Sequence, residues 1–138
     1  MLTKPNFGWT RIEIENNILP ASYVTDVPMD CLENMILAYR HHIDFCVSLD
    51  AEGWTFKIIS DEYMTYIIKD YIERELIVCE EVNIDNLSKE LIEDIESNID
   101  DWLLWNYSPE EIEEISEYKK NLLKKIDTLK KLINSQKT

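Results

Sequence analysis

His41 and His42, with Asp44 two residues on, are the one group in this 138-residue chain whose types and spacing resemble a metal site. Adjacent residues of a helix point about 100° apart, because a turn takes 3.6 residues, so both imidazoles cannot face one ion without distortion. Two histidines closing a helix suit its last carbonyls instead, and no metal is expected. Cys31, Cys46 and Cys79 stand 15 and 33 residues apart, which fits neither a disulfide framework nor paired zinc knuckles. Nothing in the sequence aims a histidine base at any of them, so thiol catalysis has no signature and all three are expected as small buried hydrophobes. The chain has only 2 glycines, too few for a phosphate-cradling loop. Paired carboxylates for hydrolysis meet in space rather than in sequence, and among 28 Asp and Glu residues no pair stands out. The expectation is a protein with no catalytic residues and no cofactor.

What the carboxylates do show is a field. Lys and Arg number 14, giving a formal net charge of −14, while 45% of residues are hydrophobic, enough apolar content to fold. That sign argues against direct nucleic-acid binding and against adsorption to an anionic membrane. The charge is concentrated: residues 70–117 hold 17 acidic and 2 basic groups, and residues 118–138 hold 7 basic and 1 acidic. Glu110, Glu111, Glu113 and Glu114 fall where a helix should start, and the lysine pairs Lys119-Lys120, Lys124-Lys125 and Lys130-Lys131 fall in its later turns, as the helix dipole favours. The dipole does not explain Glu90, Glu93, Asp94, Glu96, Asp100 and Asp101, which run along the preceding helix opposed there only by Lys89 and repel one another at spacings of three and four. The same composition suits a merely solvated face or an electrostatic docking surface for a basic protein, and the second reading names candidates: Glu93, Glu96, Asp100, Asp101, Glu110, Glu111 and Glu114. Trp105 joins them. Residues 102–105 point in four directions around a helix, so Trp102 is assigned to the core and Trp105 to a partly exposed anchor.

The elements that would position these residues follow from hydropathy periods. Thr10, Ile12 and Ile14 alternate with charged residues as a strand, Asn16-Asn17 offers a turn, and Ile18 to Val24 returns with Pro20 on a sheet edge. Asp26 and Pro28 open an amphipathic helix over 28–41. Ile43 to Leu49 and Trp54 to Ile58 form a hairpin about Ala51-Glu52-Gly53, and Tyr63 to Tyr71 and Leu76 to Val82, joined by a turn at Glu73-Arg74, extend it to a four-stranded meander. From Asn86 the stripe Leu87, Leu91, Ile92, Ile95, Ile99, Trp102 and Leu103 predicts a helix of about 20 residues. Ser108-Pro109-Glu110-Glu111 predicts a second start, with Ile112, Ile115, Leu122, Ile126, Leu129 and Ile133 making 109–134 one long helix. The fold class is α+β: an N-terminal hairpin, one helix, a largely antiparallel meander sheet and two long C-terminal helices, all in a single domain over 1–138. The last helix is expected to pack antiparallel on the one before it, or to pair with a second copy in a homodimer.

The first residues lack the apolar run of a signal peptide, no run reaches a membrane span, and the free thiols fit a reducing compartment, so a cytoplasmic location is expected. The order of the Trp9-to-Glu15 strand, Ala21-Ser22-Tyr23-Val24-Thr25-Asp26-Val27-Pro28 entering a helix, Val47-Ser48-Leu49-Asp50-Ala51-Glu52-Gly53 in a hairpin, and an acidic helix ending Asp101-Trp102 resembles small acidic immunity proteins of bacterial polymorphic-toxin systems. That resemblance, over residues 8–107, implies an antitoxin that binds and occludes a basic toxin, often a nuclease. The lysine-rich C-terminal helix lies outside it. Two alternatives stand beside it: a DNA mimic presenting spaced carboxylates to a nucleic-acid-binding protein, and a housekeeping domain with no charged partner.

Overall fold

The computed structural model describes residues 1–71 and 74–136, and its architecture is α+β. Strands β1 (Trp9–Ile14) and β2 (Asn17–Ser22) form the N-terminal hairpin. Ile14 pairs with Asn17, so the two-residue turn is Glu15-Asn16 rather than Asn16-Asn17, and Glu15 takes a left-handed φ of +53°. Burial sets that register: a one-residue slip would turn Ile12, Ile14, Leu19 and Ala21, all buried, out to solvent. Residues 1–3 run along the other side of β1, with the Thr3 amide donating to the Arg11 carbonyl at 3.0 Å. This leaves β2, with Pro20, at the outer edge.

Asp26 caps helix α1 (Val27–His41) by accepting from the Met29 amide at 3.4 Å, and Pro28 sits in the first turn where its missing N–H costs nothing. The helix ends at His42, whose φ of +53° closes the last turn. Strands β3 (Phe45–Asp50), β4 (Thr55–Ser60), β5 (Thr65–Tyr71) and β6 (Arg74–Glu80) form an antiparallel meander in sequence order. Of the turn expected at Glu73-Arg74, Glu73 lies outside the described residues and Arg74 opens β6. Phe45, Val47, Leu49, Phe56, Ile58 and Ile67 are buried on the face that meets α1. The period of two then puts Cys46 and Cys79 on the opposite face, and both are exposed; only Cys31, on the inward side of α1, is buried as expected of all three.

The predicted 20-residue helix is two: α2 (Ile84–Ser97) and α3 (Ile99–Leu103). They break at Asn98, whose side-chain amide donates to the Asp94 carbonyl at 3.3 Å, the kind of local bond by which Asn competes with a helix ladder. The stripe Leu87, Leu91, Ile92, Ile95, Trp102 and Leu103 is buried on both sides of the break. Helix α4 (Ile112–Ser135) begins three residues later than expected, because Ser108–Glu111 closes as a separate turn. The Glu111 carboxylate accepts from the Ser108 amide at 2.9 Å, which is half of the predicted capping box. Tyr118, Leu122, Ile126, Leu129 and Ile133 are buried, whereas Ile112 is 74% exposed at the overhanging first turn.

The partner of α4 differs from the expectation. It lies chiefly on α1, with Lys130, Ile133 and Asn134 near its C-terminal end beside α2, because α3 and the loop after it carry the chain across to the start of α1. The buried stripe of α4 is covered inside the chain, while Ile112 and Leu123 stay exposed. One contiguous core joins the hairpin, sheet and helices. No helix among the described residues is long and apolar enough to cross a membrane.

Candidate docking surface

The loop between α3 and α4 is braced from beneath by aromatics. Trp102 is fully buried. Trp105, expected as a partly exposed anchor, is only 6% exposed: its indole N–H donates to the Thr25 carbonyl at 3.1 Å and its ring lies 5.3 Å from that of Trp102. α3 ends at Leu103, so residues 104 and 105 leave the helical directions that had pointed Trp105 outward, and Trp105 cannot be a partner's anchor. Tyr107 meets Tyr118 edge-on at 5.6 Å, and the Tyr118 hydroxyl donates to Asp26 Oδ1 at 2.7 Å. Burial raises the Asp26 carboxyl above its ordinary range, while that hydrogen bond and the Met29 amide pull it back down. Burial, with the charge of Asp26, also pushes the Tyr118 phenol well above its ordinary value. Asp30 is raised by burial and by the nearby Asp26 and Glu33. Thr25 Oγ1 and Trp102 Nε1 are buried with no hydrogen-bond partner among the described residues.

Above this brace the predicted acidic residues fall into two sets. Along α2 the acid is largely answered within the chain: Glu96 meets Lys130 at 3.0 Å, and the Met1 ammonium lies 2.6 Å from Asp94 and 3.7 Å from Glu90. Glu93 is exposed and lines a shallow groove of about 400 Å³ beside Lys89 and Lys130. The lysine-rich helix therefore offsets part of the α2 face, through Glu96 rather than through Glu90, Glu93 and Asp94. The second set is different. Asp100, Glu110, Glu111, Glu113 and Glu114 are exposed and have no ion pair among the described residues, while Asp101 has only Lys4 at 3.9 Å. Glu113 and Glu114 occupy the first turn of α4, where the helix dipole offsets their mutual repulsion without cancelling the field they project.

A second concavity, this one acidic, lies at the far end of α1. About 620 Å³ in volume, it is lined by Asp44, Asp61, Glu62 and Asp85 together with Tyr39, His42 and Tyr63. The Tyr39 hydroxyl donates to Asp85 Oδ1 at 2.5 Å. Asp61 accepts from the Tyr63 and Met64 amides, each at 2.7 Å, which holds its carboxyl below the ordinary range. These residues come from separate stretches of the chain, so no spacing announced them. His42 and Asp44 do meet here, yet no group of three His, Cys, Asp or Glu among the described residues could hold a metal ion. With Asp44, Asp61, Glu62 and Asp85 in its lining, this concavity can attract cationic groups, whereas in the groove beside α2 Lys89 and Lys130 balance Glu93 and Glu96.

Compared with protein-family models, with curated proteins and with solved structures, the chain has no match in any of the three.

Proposed function

We propose that the protein is a non-enzymatic binding module, of the immunity type its sequence resembles, that captures a basic protein partner on the acidic end formed by α3, the following loop and the start of α4. The observation that carries this reading is the group Asp100 on α3, Glu110 and Glu111 on the loop, and Glu113 and Glu114 on α4, exposed and free of ion pairs among the described residues, on a segment held to α1 by the Trp105–Thr25 and Tyr118–Asp26 hydrogen bonds. A fixed array of like charge favours encounter with an opposite one and orients it, at little ordering cost on binding. The DNA-mimic alternative draws on spaced carboxylates along α2, and it loses support where Glu90, Asp94 and Glu96 are paired within the chain.

The test is capture from the native host with the full chain as bait, mass spectrometry of what is retained, and then kinetics on the purified pair. A basic partner whose association slows several-fold between low and physiological salt supports the proposal. Retained partners that are acidic or neutral, or an on-rate indifferent to salt, overturn it.

A further inference from the structure

Next to the acidic end, the turn that leads into β1 carries an apolar side chain for which the fold has no use. Asn6 and Trp9 exchange both backbone hydrogen bonds, at 2.8 and 3.0 Å, so Phe7-Gly8 is a two-residue turn, and both residues have positive φ, +50° and +80°. Such a turn favours Asn-Gly, whereas a bulky residue in the left-handed region is strained. Packing does not offset that strain, because Phe7 is 97% exposed. The Tyr23 amide donates to the Gly8 carbonyl at 2.9 Å, and a Cβ on Gly8 would come within 2.8 Å of the Tyr23 ring. Tyr23 and Val24, 57% and 61% exposed, therefore extend the patch begun by Phe7. Two contacts tie this patch to the acidic end. Lys4, just before the turn, lies 3.9 Å from Asp101, and the Thr25 carbonyl, next to Val24, accepts from Trp105 in the loop after α3.

We infer that Phe7, with Tyr23 and Val24 beside it, is the apolar anchor of the docking surface, and that the partner is a basic protein whose Lys and Arg residues rim an apolar pocket for the Phe7 ring. The inference rests on the proposed function and extends it from the charges that steer encounter to the side chains that hold the complex. Interfaces divide the work in this way, with aromatic anchors slowing dissociation and charges at the rim speeding association. Phe7 takes the place that Trp105, buried against Thr25, cannot fill. Charge selects the occupant. Asp100, Glu110, Glu111, Glu113 and Glu114 have no ion pair among the described residues, so a second copy or an anionic membrane brought to this end meets like charge, and a basic rim meets its opposite. The face of the Phe7 ring also attracts a guanidinium. Its two-residue turn holds the ring out before the partner arrives, so little ordering is needed on binding. A strained residue whose side chain packs on nothing points to a task outside the fold.

The probe is the basic protein that the full chain retains from its host, purified, and its rates are measured against the native chain, Phe7→Asn and Val24→Ser. Asn enters the left-handed region more readily than Phe, so Phe7→Asn should melt no lower than the native chain. It should raise the dissociation rate at least about tenfold, and Val24→Ser about threefold, both leaving the salt slope of the association rate unchanged. Native dissociation rates in both variants, with the steep salt slope kept, overturn the inference and leave the proposed function standing. An association rate indifferent to salt overturns the proposed function and with it the basic occupant, even where Phe7→Asn weakens the complex. If no basic protein is retained, both fall. A melting temperature lowered by Phe7→Asn assigns the ring to the fold, and a dimer in sedimentation that Phe7→Asn abolishes assigns the patch to a second copy; either result overturns the inference.

Discussion

Removing one oxygen, by Tyr118→Phe, tests how the acidic end is held together. The ring of Tyr118 is buried against Tyr107 and stays in place; what goes is the hydroxyl that donates to Asp26 Oδ1 at 2.7 Å. A hydrogen bond to an ionised, partly buried carboxylate contributes about 1.5–3 kcal/mol, so a loss of about 2 kcal/mol is expected at pH 7. The pH dependence follows from the direction of the Asp26 shift. Its folded carboxyl lies above its unfolded value of 3.8, so burying the ionised form opposes folding at pH 7, and that opposition is relieved as pH falls through the folded value. Once Asp26 is protonated the lost bond is a neutral one, contributing about 1 kcal/mol. The variant's deficit should therefore shrink by about half between pH 7 and the acid side of that titration. Urea unfolding followed by tryptophan fluorescence at the two pH values measures it. A deficit under about 0.5 kcal/mol at pH 7, or the same deficit at both, refutes the argument.

Tyr118 itself predicts alkaline sensitivity: its phenol is raised above the ordinary value of 10.0, so the stability it contributes is whole below that pH and is lost as pH rises past it, a loss absent from Tyr118→Phe and visible in paired pH melts. Trp105→Phe and Trp102→Phe remove the same ring fraction from buried sites, but the first deletes the bond to Thr25 and the second an indole N–H with no partner among the described residues; Trp105→Phe should cost about 1–2 kcal/mol more in chemical denaturation, and equal costs would contradict the assigned partners. Truncation after Glu117 removes Tyr118, Leu122, Ile126, Leu129 and Ile133, each a burial of about 1.5–3 kcal/mol, which together rival the whole stability of a domain this size; the shortened chain should lose its cooperative melting transition.

Periodicity carried most of the fold. The alternation of Phe45, Val47 and Leu49, and the helical spacing of Leu87, Leu91 and Ile95, are local properties, and each element they predict is present. What escaped was set by single residues or by distant ones. The break at Asn98 depends on one side chain bonding one carbonyl within an otherwise continuous apolar stripe. The choice of α1 over α2 as the partner of α4 depends on contacts such as Tyr118 with Asp26, 92 residues apart, which no window can see. Trp105 shows the limit for the site: helical directions assigned it outward, and the end of α3 two residues earlier turned it in. The carboxylates of the docking surface were legible as composition, but which of them stay free was not, because Lys130 and the Met1 ammonium reach Glu96 and Asp94 from opposite ends of the chain.

Whether the free carboxylates at the start of α4 act as a docking field is tested most directly by one comparison. Association rates with the basic partner captured from the host are measured against ionic strength for the native chain and for a variant carrying Glu110→Lys, Glu111→Lys, Glu113→Lys and Glu114→Lys. All four side chains are exposed, but Glu111 accepts from the Ser108 amide and Glu113 and Glu114 complement the helix dipole, so each reversal should cost about 0.3–1 kcal/mol and the rates are compared at a temperature where both proteins are folded. The native on-rate is expected to fall at least about tenfold from low to physiological salt, and the variant's to start lower and to lose most of that slope. Equal on-rates for the two proteins, with the same salt dependence, would contradict the claim.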